Sequence, residues 1–107
     1  MPGIWRAMHQ TKESVIEAEK LDLKEPSRYK VMLFNDDYTT MDFVVMVLMV
    51  IFHRSLADAQ NIMMSVHKSG KAVCGVYAFE IAETKVAQVK ALSEQHNFPL
   101  RCDIEKE

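Results

Sequence analysis

Residues 41–52 read MDFVVMVLMVIF, twelve positions with a single charge, Asp42. A stretch this apolar offers almost nothing to water, so whatever it forms must lie at the centre of the fold. It is too short to cross a bilayer, which takes about 20 residues. Its valines would suit a strand. Its length, its lack of Gly or Pro, and Thr39 standing three residues ahead of Asp42 in capping-box spacing favour a buried helix.

Around this run the apolar periodicity changes several times. Tyr29, Val31 and Leu33 alternate with Lys30, Met32 and Phe34, which predicts a strand buried on at least one face. Ser55 with Asp58 repeats the capping-box spacing. Leu56, Ala59, Ile62, Met63 and Val66 then recur at helical intervals until Ser69-Gly70 stops the helix. Residues 71–78 read as a strand with Ala72, Cys74 and Val76 on one face and Gly75 marking a bulge or a close approach. Residues 80–95 read as a helix carrying Ala82, Val86, Val89 and Leu92. The chain then alternates Leu100, Cys102 and Ile104 with Arg101, Asp103 and Glu105, a half-exposed strand. The order β-α-α-β-α-β predicts an α+β fold: a compact two-layer domain whose three-stranded sheet, mixed or antiparallel, has its helices packed on one face. Residues 27–107 make that core domain. Residues 1–26 mix both charge signs with scattered apolar residues and read as a flexible N-terminal extension, with a partial helix near 14–20.

Composition narrows the function. A chain of 107 residues with 49% hydrophobic content has one core and room for one site. A net charge of −2, without a Lys/Arg cluster interleaved with aromatics, argues against holding nucleic acid by its phosphates. Cys74 and Cys102 have no CxxC spacing and apolar neighbours, and no signal-peptide pattern precedes them. They read as reduced core residues of a cytoplasmic protein, with no membrane partner. No GxSxG motif, no Gly-rich phosphate loop and no Cys beside a His supports nucleophilic catalysis.

The chemistry gathers at Asn35-Asp36-Asp37-Tyr38-Thr39, between the first strand and the apolar run. One reading is a turn and a helix cap, because Asn, Asp and Thr bond nearby backbone. The other is a site for a small cation such as an ammonium, which needs several acceptors and negative charge. His67, in the last turn of the second helix beside Met63 and Val66, reads either as a surface residue favoured by the helix dipole or as a further acceptor. A metal held by Asp36, Asp37 and His67, with His53 nearby, is a minor reading, because the aspartates are adjacent and no HxxxH or Cys pair accompanies them.

Several motifs in order carry a family resemblance: Tyr29-Lys30-Val31, the NDDYT run with Met41-Asp42-Phe43-Val44, Val66-His67, Gly70-Lys71-Ala72-Val73-Cys74-Gly75-Val76 and Ala82-Glu83-Thr84-Lys85-Val86. Together they resemble the ClpS family, adaptors of the bacterial ATP-dependent Clp protease. The resemblance covers the chain from Pro26 to its end. It implies a monomeric adaptor without cofactor, metal or catalytic activity. Such an adaptor binds the free α-amino group and bulky first residue (Leu, Phe, Tyr or Trp) of N-degron substrates and delivers them to the N-terminal domain of a ClpA-type AAA+ unfoldase. Asn35, Asp37 and His67 match the ammonium-binding positions, and Asp36 adds charge beside them. Leu33, Phe34, Thr39, Met41, Val44, Met63, Val66 and Leu100 match the pocket for the first side chain, with Met41 rejecting β-branched residues. Glu80 and Lys85 match unfoldase contacts, and the N-terminal extension is engaged during hand-off. One departure is Thr40, where most members have Pro. A Pro there pre-sets the backbone, so Thr40 is expected to loosen the rim or shift the helix start. Competing readings are a groove for internal peptides, indifferent to a free amine, and a small metal-dependent enzyme.

Overall fold

The computed structural model describes residues 27–107. The expected extension over 1–26 and its partial helix lie outside the described residues. Strand β1 (Arg28–Phe34) leads through a short loop into α1 (Met41–Val50) and α2 (Leu56–Ser69). Strand β2 (Lys71–Ala78), α3 (Phe79–Gln95) and β3 (Arg101–Lys106) follow. The sheet order is β2-β1-β3, and both pairings are antiparallel. The expected element order is the observed one, and the choice between mixed and antiparallel pairing falls to the latter.

Side-chain alternation in β1 sends Val31 and Leu33 to the helical layer, where both are fully buried with Val47 and Leu48 of α1 and Val89 of α3. Helix α1 is central, as its composition requires, but not enclosed: Phe43, Val44, Val47 and Leu48 face inward while Met49 and Val50 are exposed. It also stops at Val50, short of the expected residue 52. Ile51 and Phe52 are buried just past its end, where Lys85 Nζ donates to the Ile51 carbonyl at 2.6 Å.

The N-cap of α1 corrects the sequence reading. It is Thr40, whose Oγ1 accepts from the Phe43 N–H at 3.2 Å. Thr39 lies one residue before the cap, and its hydroxyl turns the other way to donate to Asp36. The backbone at Thr40 has φ −73°, close to the value a proline ring would impose. The chain therefore replaces a fixed φ with a cap hydrogen bond, and the helix still starts at Met41. Thr40→Ala is expected to cost about 1 kcal/mol. In a domain of this size that is a fall in melting temperature of roughly 4–8 °C, readable by circular dichroism.

Ser55 caps α2 as its spacing predicts, accepting from the Asp58 N–H at 3.1 Å. Gly70, at φ 87°, ends the helix in the left-handed conformation, its N–H donating to the Val66 carbonyl. Leu56 departs from the expected apolar face. It stands 53% exposed in the first turn of α2.

The bulge in β2 also revises a face. Val73 lies opposite Met32 and Gly75 opposite Val31, which leaves Cys74 as the extra residue. Beyond it the alternation shifts by one, so Gly75 and Tyr77 share the inner face with Val31 and Tyr29. Val76, expected inside, lies opposite Lys30 instead. The Tyr77 ring covers Gly75 so closely that a Cβ there would collide with it. Arg54 donates from Nε and Nη2 to the Cys74 carbonyl at 3.0 and 2.7 Å, holding the bulged residue in place. Cys74 and Cys102 are free and buried, as their neighbours suggested. Burial pushes each thiol up to about 12, with the neighbouring Cys102 adding to the effect on Cys74 and Asp103 to that on Cys102. Neither forms the thiolate that redox or nucleophilic chemistry would need. Helix α3 begins at Phe79, one residue before the expected start. Among the described residues no helix is long and apolar enough to cross a membrane.

Candidate functional site

The loop between β1 and α1 is built around one carboxylate. Asp36 Oδ1 accepts from the N–H groups of Tyr38 and Thr39 at 2.8 and 2.7 Å, and its Oδ2 accepts from Thr39 Oγ1 at 2.7 Å. Burial pushes this carboxyl up, but the Thr39 hydroxyl and the two N–H groups outweigh it and hold the pKa below the ordinary 3.8. A carboxylate with a depressed folded pKa contributes stability above its unfolded value and loses it as pH falls through the folded one. The difference in melting temperature between the native chain and Asp36→Ala is therefore expected to be constant from pH 7 to pH 5. It should shrink as the pH is taken below 3.8, and melts across that range measure it.

With Asp36 committed to the loop, its neighbours are left facing outward. The Asn35 N–H donates to the Gly70 carbonyl at 2.8 Å, tying the loop to the end of α2 where His67 sits. Asp37 is exposed, and among the described residues its carboxylate has no hydrogen bond or ion pair. His67 is likewise exposed. Met63, Val66 and His67 fall on one face of α2 by their three- and four-residue spacing, and Met41 and Val44 do the same on α1.

These elements enclose a cavity of about 290 Å³. Asn35, Asp36, Asp37 and Thr39 line it from the loop, Met41 and Val44 from α1, and Met63, Val66 and His67 from α2. Nine of the twelve residues matched to ammonium or side-chain binding thus meet in one place. One part of the lining carries acceptors and negative charge and the other is apolar. An ionised carboxylate, an amide oxygen and an imidazole nitrogen can accept from a group with several N–H donors. The methionines and valines can take a side chain out of water.

The remaining three lie elsewhere. Leu33 is fully buried in the core and does not line the cavity. Phe34 points to the opposite face of the sheet, where the Arg101 guanidinium lies 4.3 Å from its ring centroid. Leu100 is buried and lines a separate cavity with Val86, Ser93 and Phe98. Glu80 and Lys85 are both on α3, away from the loop. Glu80 is exposed in the first turn, and Lys85 is half-buried with its ammonium on the Ile51 carbonyl. His53, the extra nitrogen that a metal reading required, lines a third cavity beside Lys85. Among the described residues no group of three or more His, Cys, Asp and Glu is placed to hold a metal ion.

Sequence reasoning missed the carbonyl of Gly70 as the anchor of Asn35 and the guanidinium of Arg54 as the anchor of the bulge. Both are long-range bonds to main-chain oxygen, and no local pattern signals them.

Three comparisons bear on the site. The family described as ATP-dependent Clp protease adaptor protein ClpS matches residues 24–103. The chain is 52% identical over 88 residues to the ATP-dependent Clp protease adapter protein ClpS of Wolinella succinogenes, covering 82% of this chain and 86% of that protein. It is 58% identical over 85 residues to its counterpart from Oleidesulfovibrio alaskensis, covering 79% and 82%. Among solved structures it is similar to Agrobacterium tumefaciens ClpS2 bound to L-phenylalaninamide. That likeness has a TM-score of 0.75 and 42% identity, and covers 78% of this chain and all of that one.

Proposed function

This chain belongs to the ClpS family of ATP-dependent Clp protease adaptors, which are not enzymes, and from that premise we propose that it is a receptor for N-degrons. It binds the free α-amino group and bulky first side chain of a substrate and delivers that substrate to a ClpA-type unfoldase. The observation that carries this reading is the divided lining of one cavity, with Asn35, Asp37 and His67 against Met41, Val44, Met63 and Val66. An α-ammonium has three donors and one charge. Asn35, Asp37 and an imidazole nitrogen of His67 supply three acceptors, and the acidic loop supplies the countercharge. Asp36 contributes mainly by fixing that loop.

The apolar part takes Leu, Phe, Tyr or Trp, whose burial contributes about 1.5–3 kcal/mol. Thr39 belongs to the same wall. Leu33 and Leu100 act from behind it as packing, and Phe34 acts through β1 rather than by contact. Met41, 46% exposed, stands at the rim, where a second branch on Cβ would meet it. L-Phenylalaninamide, the ligand of the Agrobacterium relative, has the chemistry of a first residue: a free amine, an aromatic side chain, and an amide in place of the carboxylate.

Glu80 and Lys85 on α3 are the contacts for the unfoldase's N-terminal domain. Lys85 also holds the end of α1, so a Lys85 variant must be checked for stability before any loss of delivery is assigned to docking. The adaptor acts as a monomer without cofactor.

The test is reconstituted degradation. A folded reporter beginning with Phe, given a ClpA-type unfoldase, its peptidase and ATP, is expected to be degraded faster when this chain is added. The same reporter beginning with Met should not be. Equal effects on both reporters, or none on either, would overturn the proposal.

A further inference from the structure

Tyr38 is the most exposed of the large apolar residues recorded in the described part of the chain, at 76%. Exposure alone would mean little. Here the backbone beneath it is pinned, because its own N–H and that of Thr39 both donate to Asp36 Oδ1. Its chain neighbours Asp37 and Thr39 line the cavity, and the peptide bonds among the described residues are trans, so its Cα lies about 3.8 Å from each of theirs. The ring therefore stands on the rim of the site without entering it.

We propose that Tyr38 is a second specificity element that reads the residue following the first, and that it favours an arginine there. This rests on the N-degron reading above. With the ammonium on the loop and the first side chain in the cavity, the remaining heavy substituent on the substrate Cα is its carbonyl, so the chain must leave across the rim. Each further residue advances at most about 3.3–3.6 Å, which keeps the second and third within reach of a tyrosine ring. A tyrosine held this way gives up little freedom when it is covered. Asp37 precedes it, and Asp42 stands exposed in the first turn of α1. A flat guanidinium over the ring face, with carboxylates beside it, is what this arrangement suits.

The experiment measures three ligands, L-phenylalaninamide, a Phe-Arg peptide and a Phe-Ser peptide, against the native chain, Tyr38→Ala and Tyr38→Phe. Native chain should bind Phe-Arg about two- to fivefold more tightly than Phe-Ser, the span of an exposed cation–π contact. Tyr38→Ala should abolish that preference and leave phenylalaninamide within twofold of native. Tyr38→Phe should keep the preference. An undiminished Phe-Arg preference in Tyr38→Ala overturns the inference, and so does an equal loss for all three ligands, which would mean a collapsed loop. If phenylalaninamide fails to bind the native chain, the pocket reading falls and this inference falls with it.

Discussion

Asp37→Ala is expected to weaken binding of a peptide beginning with Phe by about tenfold to a hundredfold, with little change in melting temperature. A hydrogen bond to a charged group contributes about 1.5–3 kcal/mol, and a tenfold change in affinity corresponds to about 1.4 kcal/mol. Asp37 is exposed and unengaged among the described residues, so the fold does not depend on it. Asp36→Ala gives a different signature. It releases the Tyr38 and Thr39 N–H groups and the Thr39 hydroxyl, so stability and affinity should fall together. Isothermal titration with thermal melts on both variants separates a residue that touches the ligand from one that shapes the loop. Equal affinity for native chain and Asp37→Ala would remove Asp37 from the site.

The largest expected effect on stability is Leu48→Ala. Leu48 is fully buried in α1, at the centre of the cluster formed with Val31, Leu33, Val47 and Val89. A buried Leu→Ala change costs about 2–5 kcal/mol, from lost transfer energy and the cavity left behind. Native domains have only about 5–15 kcal/mol in hand, and each kcal/mol shifts the melting temperature of a domain this size by roughly 4–8 °C. A fall of about 10 °C or more in a thermal melt is therefore expected. The same change should weaken ligand binding at temperatures near the new midpoint, because Met41 and Val44 are presented by the helix that Leu48 anchors. A loss under about 1 kcal/mol would mean that α1 is not the centre of the core.

Much of this was legible because local chemistry and global packing agree. The apolar run at 41–52 had to be central, Ser55 with Asp58 marks a real cap, and Ser69-Gly70 marks a real stop. The three- and four-residue spacings that place Met63, Val66 and His67 together are properties of a helix alone. Legibility ended where two residues compete for one role or where a register shifts. Thr39 and Thr40 are chemically equal as caps. The loop's path decides between them, turning the Thr39 hydroxyl to Asp36 and the Thr40 hydroxyl to the Phe43 N–H. The face of Val76 depends on a bulge at Cys74, which Gly75 hinted at without fixing the direction of the slip. Phe34 matched a pocket position of the family's pattern, yet strand alternation sends it to the other face of the sheet, under Arg101. Matching a motif carries a residue to its place in the chain, and the pleat then decides which way it points.

The central claim is that a free α-amine is read at Asn35, Asp37 and His67. Fluorescence anisotropy of a labelled peptide beginning with Phe, compared with the same peptide N-acetylated, tests it most directly. Acetylation removes the charge and two of the three donors while leaving the aromatic side chain intact. The free peptide is expected to bind at least tenfold more tightly than its acetylated twin. Equal binding of the two would contradict it and leave the cavity as a groove for internal peptide side chains.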